Sequence, residues 1–259
     1  MKQIKFIVNY IMHFISARHS GGFGVHSPYL FHFIKYILDD KNQYYLFNDI
    51  EAVRQNLLKD YQPIKIDDFG TGKNRTQTLA KIAKGSLKEP KYGQLFFKII
   101  HRIKAKNVLE LGTSLGITTA YLAGSSTNIK CVSIEGSKNI AAVAQQNFDM
   151  LNLSNIEIVC DDINKRLTQV IDGFKTLDFV FIDANHKLPE AYIYFEKCLP
   201  KINENSILVM DDIYWSDDMK KAWNMVKNHW CVTATFDLFD IGIVFFKPEL
   251  NKKHYKIRY

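Results

Sequence analysis

From Asn107 onward, short apolar runs alternate with stretches whose apolar residues recur at helical spacing. The runs 107–111, 130–135, 156–160, 178–183 and 206–211 predict strands. Helices are predicted near 116–124, 137–150, 163–172, 188–199 and 216–229. Strand and helix in regular alternation imply an α/β fold, a parallel sheet with helices on both faces. The pattern breaks at the end. Cys231–Asp237 and Ile241–Lys247 are two strand-like runs joined by about three residues, so they read as an antiparallel hairpin.

Before Asn107 there are few strand signals. Helices are predicted at 2–17, 28–39, 47–59, 73–84 and 91–104, punctuated by Gly21-Gly22, Pro28, Pro63, Gly70, Gly72 and Pro90. The chain therefore divides into a helical N-terminal extension or cap, 1–90, and an α/β domain, 91–259. Phe6, Tyr10, Phe14, Phe31 and Phe33 make the extension too apolar to float free. It is expected to cap the domain or to pair with a second subunit in a homodimer. Residues 2–17 read as an amphipathic helix that packs on the domain or a partner, or rests on a membrane. Their apolar stretch is too short for an integral membrane segment.

Composition narrows the class. A 259-residue chain that is 47% hydrophobic and 24% charged is ordinary for a globular protein. The net charge of +7 is spread along the chain, densest in Asn251–Tyr259, which reads either as a solvated terminus or as a contact for an acidic partner. Cys131, Cys160, Cys198 and Cys231 form no C-x-x-C pair, and three sit in or beside apolar runs. A reducing, cytoplasmic setting is expected. Trp215, Trp223 and Trp230 recur at about helical spacing, which favours one core-facing stripe over a substrate wall.

The candidate chemistry begins at Glu110-Leu-Gly112-Thr113-Ser-Leu-Gly116, where an apolar run stops at glycines and restarts as a helix. Such a turn leaves backbone N–H groups free and lets a ligand approach the main chain. It lacks the G-x-G-x-x-G spacing that cradles a pyrophosphate. Glycines four apart, with an acid before the first, suit a ligand with a cationic amino-acid end. Glu135 ends the next apolar run, 25 positions after Glu110, near the offset at which an acid reaches a ribose diol. Its alternative is a surface residue capping the next helix. Asp67–Lys73 is glycine-rich but lacks phosphate-loop spacing. Residues 22–29 read equally as a lid or a structural turn.

The E-x-G-x-x-x-G turn, Glu135 and the terminal hairpin together resemble the class I S-adenosylmethionine-dependent methyltransferases. Over roughly residues 90–247 the resemblance implies a Rossmann-like, seven-stranded sheet of order 3-2-1-4-5-7-6, with strand seven antiparallel. It implies that Glu110, Gly112, Thr113 and Gly116 bind the cofactor S-adenosyl-L-methionine. Asp162 of Asp161-Asp162-Ile163 falls where the family contacts adenine; a helix N-cap is the alternative. Asp161 stands where the family has glycine. Gln94, after Gly93, matches a pair near the cofactor's methionine end.

The remaining acids end the fourth and fifth strand candidates, as Asp183-Ala-Asn-His186 and Asp211-Asp212. Three carboxylates, Asp183, Asp211 and Asp212, are candidates to hold Mg²⁺ or Ca²⁺. This resembles the catechol- and caffeoyl-coenzyme-A-type O-methyltransferases, with Asp212 in place of an Asn. Without metal, the acids orient cofactor and substrate, and Asp183 counts among the cofactor contacts. His186 stands where those enzymes have their base, a Lys, and is the candidate proton acceptor beside Asp183. The resulting expectation is methyl transfer to a small-molecule acceptor, at oxygen. A nucleic-acid methyltransferase and a non-catalytic cofactor-binding scaffold are the alternatives. The first is disfavoured because FIDANH occupies the place of a D/N/S-P-P-Y/F/W motif.

Overall fold

The computed structural model describes residues 2–66 and 75–259, with side chains from Phe6 onward. The glycine-rich Asp67–Lys73 stretch lies outside the described residues. The chain opens with α1 (Lys2–Ser16), α2 (Pro28–Phe33, running into a π-helical turn at Ile34–Leu38) and α3 (Tyr45–Lys59). Then come β1 (Pro63–Ile66), β2 (Arg75–Thr78), α4 (Leu79–Ser86) and α5 (Pro90–Ile103). The α/β alternation follows: β3 (Asn107–Leu111), α6 (Ile117–Ala123), β4 (Lys130–Glu135), α7 (Lys138–Met150), β5 (Ile156–Cys160) and α8 (Ile163–Asp172). It continues with β6 (Leu177–Ile182), α9 (Glu190–Cys198), β7 (Ile202–Asp211) and α10 (Asp217–Asn228), and closes with β8 (Ala234–Asp237), β9 (Ile241–Phe245) and β10 (Lys253–Lys256).

The ends of these helices are fixed locally. Pro28 and Pro90 occupy first-turn positions, where a missing N–H costs nothing. Ser27, Thr78 and Ser216 each accept a backbone N–H with the side chain and so cap α2, α4 and α10. Lys104 takes φ 54° and ends α5. Residues 20–22 form a short turn with Gly21 and Gly22 at positive φ.

Two compact units result, residues 42–174 and residues 1–41 with 175–259. In the first of these, β5, β4 and β3 lie side by side and parallel. Phe47 and Ile50 of α3 share a core with Phe97 of α5 and Tyr121 of α6; the Phe47 ring lies 5.0 Å from Phe97 and 5.4 Å from Tyr121. A helix was expected over 73–84. Instead Arg75-Thr-Gln-Thr78 pairs antiparallel with Pro63–Ile66, and α4 begins only at Leu79. Two threonines in four residues fit a pleated strand better than a first helical turn.

In the other unit the order is β6-β7-β9-β8-β10. β6 and β7 are parallel, and β9 runs antiparallel to both β7 and β8. The expected order thus appears as 3-2-1 in one unit and 4-5-7-6 in the other, with the seventh strand antiparallel. The α/β, Rossmann-like class is as expected, but the strand count differs. Lys253–Lys256 adds an eighth strand, parallel to β8, and Tyr255 and Ile257 are buried. The basic tail is therefore no solvated terminus: its alternate residues are core.

The tryptophan stripe is also corrected. Trp223 is buried, but Trp215 precedes the Ser216 cap, Trp230 lies beyond Asn228, and both are exposed. Helical spacing does not apply outside the helix. Cys131 and Cys198 are buried, Cys231 is partly buried and Cys160 is exposed.

Candidate functional site

In the unit of residues 42–174, the turn after β3 is built on three left-handed residues, Gly112 at φ 100°, Ser114 at 47° and Gly116 at 79°. Gly116 is required twice over. A Cβ there would stand 2.6 Å from the Phe148 ring, on a backbone that side chains disfavour. Behind the turn, Glu110 is fully buried. Its Oε2 accepts from the hydroxyls of Thr119, at 2.5 Å, and Ser133, at 2.6 Å. Ser133 also lies 2.6 Å from the Thr113 hydroxyl. Glu110 and Thr113 thus tie the turn to β4 and α6 from the inside, and Gly112 N–H donates to the Ile134 carbonyl.

At the end of β4, Glu135 is held by main chain. Ser114 N–H donates to its Oε2 and Ser137 N–H to its Oε1, both at 2.9 Å. Burial raises the Glu135 carboxyl above its ordinary range, and the N–H groups of Ser137, Ser114 and Gly136 oppose that rise. Each oxygen keeps a further lone pair, so a fixed carboxylate remains able to accept from two hydroxyls. Asp162 caps α8, its Oδ1 accepting from Asn164 N–H at 2.9 Å. Asp161 accepts the Asp162 N–H and faces Arg166 at 3.6 Å. Gln94 hydrogen-bonds Tyr121, whose hydroxyl donates to Glu51 at 2.9 Å. Gly93 is the place where that tyrosine passes; a Cβ would meet its ring at 2.4 Å.

Two contributors escaped the sequence. Ser114 carries the N–H that fixes Glu135, and Ser133 links Glu110 to Thr113. A hydroxyl inside the apolar run Cys131-Val-Ser-Ile was the available signal for Ser133.

In the unit of residues 1–41 and 175–259, Asp183 and His186 follow β6. His186 Nε2 lies 3.1 Å from Asp183 Oδ1 and 3.5 Å from Asp212 Oδ2. Asn185, His186 and Asp212 all adopt positive φ, at 60°, 44° and 53°. None is glycine, so the loops are held in strained conformations of the kind found at functional sites. Asp211 ends β7 and is buried. Asp183, His186 and Asp211 bring one ligand atom each within 4.8 Å of one another. The cluster differs from the expected trio: His186 takes the place given to Asp212. The left-handed turn at Asp212 separates it from Asp211, and its carboxylate reaches the imidazole instead.

Residues 109–213 match a family described as a methyltransferase domain. The fold is class I methyltransferase-like. The methyltransferase-like chain is 31% identical over 127 residues to a catechol O-methyltransferase of Niastella koreensis; the match takes in 48% of this chain and spans 57% of that relative, little more than half its length. In fold it is similar to the O-methyltransferase from Bacillus cereus in complex with SAH, with TM-score 0.57 and 19% identity over 82% of this chain and 96% of the other. It is likewise similar to the O-methyltransferase TomG from Streptomyces achromogenes, solved with SAM, with TM-score 0.56 and 18% identity over 80% and 91%.

Proposed function

We propose that the chain is an S-adenosylmethionine-dependent O-methyltransferase acting on a small hydroxylated acceptor. The observation that carries this is Glu135, a carboxylate pinned by two backbone N–H groups beside a glycine turn whose geometry excludes a side chain at Gly116. Bound there, S-adenosylmethionine would supply an electrophilic methyl group on a sulfonium centre. Glu135 would accept the ribose hydroxyls, Asp162 would meet the adenine amine with its uncommitted oxygen, and Gln94 would face the methionine end. Glu110 and Thr113 act from beneath, holding the turn in shape. Such preorganised donors and acceptors align the reactants, which is most of what a displacement at methyl needs.

His186 is assigned to the acceptor as its proton acceptor. Asp183 and Asp212 flank Nε2 and stabilise the imidazolium formed when a hydroxyl proton is taken up.

The Asp183–His186–Asp211 donor set also fits a divalent cation. Mg²⁺ and Ca²⁺ prefer oxygen throughout, so the imidazole makes it a poorer match to them than three carboxylates. If held there, the cation would polarise the acceptor hydroxyl. The two carboxylates beside Nε2 favour its N–H form, which leaves Nδ1 to accept the proton; an Nε2 that ligated a metal could carry no proton, so the two readings separate. Methyl transfer to a panel of hydroxylated aromatic acceptors, before and after exhaustive chelation, tests them. Transfer that survives chelation supports His186 as base. Transfer lost on chelation and restored by Mg²⁺ or Ca²⁺ supports the metal. Absence of transfer to oxygen acceptors, with methylation of nitrogen in nucleic acid, would overturn the proposal.

A further inference from the structure

Helix α1 is amphipathic the wrong way round for a helix that merely covers its own domain. Its inward face carries polar groups, each with a partner. His13 Nε2 lies 3.0 Å from the Asp237 carboxylate, Lys220 Nζ donates to Asn9 at 2.6 Å, and Lys256 Nζ donates to Ser16 at 3.2 Å. Phe6 and Tyr10 flank these contacts, their rings each 5.1 Å from Phe239. The outward face is Ile7, Val8, Ile11, Met12, Phe14 and Ile15. Ile7 is 56% exposed, Met12 61% and Ile15 63%. Of the seventeen large apolar side chains exposed among the described residues, ten fall between Ile7 and Tyr36. A concentration of this kind marks an interaction surface.

Charge says what meets it. Residues 1–38 contain Lys2, Lys5, Arg18 and Lys35 and no Asp or Glu; residues 250–259 contain Lys252, Lys253, Lys256 and Arg258 and none. These two segments carry +8 of side-chain charge, against +7 for the whole chain, so the rest is close to neutral; of the eight, Lys35 is paired with Asp39 at 3.4 Å. The structure brings them together. Arg258 donates to the Phe14 carbonyl at 3.0 Å and stacks over the Phe14 ring at 4.1 Å, and its N–H donates to Ser20. An apolar helical face bordered by acid-free, basic chain is the pattern of a helix lying in a bilayer interface. Two copies joined through α1 would set one basic region against another, which opposes self-association. Exposed Trp215, edge-on to Phe6 at 6.4 Å, adds an aromatic suited to the headgroup level.

We infer that α1 and the β10 tail form a docking surface for an anionic phospholipid bilayer, with the outward face of α1 seated among the acyl chains. No described helix is long and apolar enough to cross a membrane. The inference does not rest on the methyl-transfer reading. It is tested by flotation of the full chain with vesicles of phosphatidylcholine alone or mixed with phosphatidylglycerol. The chain should float with the mixed vesicles, not the neutral ones, and be released by high salt. The double variant Ile11→Asp/Ile15→Asp should lose flotation while keeping its thermal unfolding midpoint, because both side chains are exposed. Arg18→Gln should weaken partitioning by about fivefold, the scale for one charge at such a surface. Absence of flotation with anionic vesicles would overturn the inference even if the double variant fails to fold. Equal flotation with both vesicle types would overturn it too, as would a dimer in solution that the double variant dissociates.

Discussion

The glycine turn of residues 42–174 and the acidic loops of residues 175–259 solve opposite problems. At the turn, carboxylates are neutralised by placement. Glu135 is met by two main-chain N–H groups and Glu110 by two hydroxyls. In the loops, Asp183, Asp211 and Asp212 gather around one imidazole, on backbone held at positive φ. The first arrangement is rigid and suited to binding. The second concentrates charge around a titratable ring and is suited to moving a proton. The contrast teaches that affinity and turnover should be separable here by mutation.

The sharpest separation is expected at His186. His186→Ala should lower methyl transfer by about 10²- to 10⁴-fold, the range for losing a general base, with cofactor affinity unchanged. Single-turnover rates alongside calorimetry would check this; equal losses in both would erase the division of labour. Gly116→Ala should act on the other side. Strain at φ 79° together with the Phe148 clash should destabilise the fold by about 3 kcal/mol, read by denaturant unfolding. Glu135→Ala comes next. Losing hydrogen bonds to a charged group should weaken cofactor binding by about 2 kcal/mol, roughly thirtyfold, and leave the fold intact. Unchanged affinity in a folded variant would remove Glu135 from the site.

The smallest effect is a pH slope. Burial pushes the Asp237 carboxyl up, but hydrogen bonds from His13 and Tyr214 outweigh it and leave it below its ordinary value of 3.8. A depressed folded value means stability that is full above the unfolded value and lost as pH falls through the folded one. Wild type should therefore lose stability below about pH 4 more steeply than Asp237→Asn, in unfolding curves taken at stepped pH.

What could be read from the sequence follows the same divide. The turn at Gly112 and Gly116 was legible because glycine spacing and strand-to-helix rhythm are local backbone properties. So were the five parallel strands and the hairpin. The β1–β2 pair and β10 were not, because four-residue strands owe their existence to partners distant in the chain. Asp162 was legible as an acid at a strand end, and the structure adds that it caps α8. The identity of the side-chain cluster was only half legible. Asp183 and Asp211 end strands, but the left-handed backbone at His186 and at Asp212, which sets the imidazole rather than the third carboxylate beside them, leaves no pattern in sequence. The inverted polarity of α1 was hidden for the same reason. The hydrophobic pattern shows that one face is apolar, and only the partners Asp237 and Lys220 show which face turns inward.

The central claim, that the glycine turn and Glu135 are built for S-adenosylmethionine, is tested most directly by calorimetric titration of the intact chain with S-adenosylmethionine, with its demethylated product and with NAD. Saturable binding of the first two, on the order of micromolar, and none of NAD is the expected result, with an affinity of about −8 kcal/mol. Binding of NAD with no response to either sulfur compound would contradict the account.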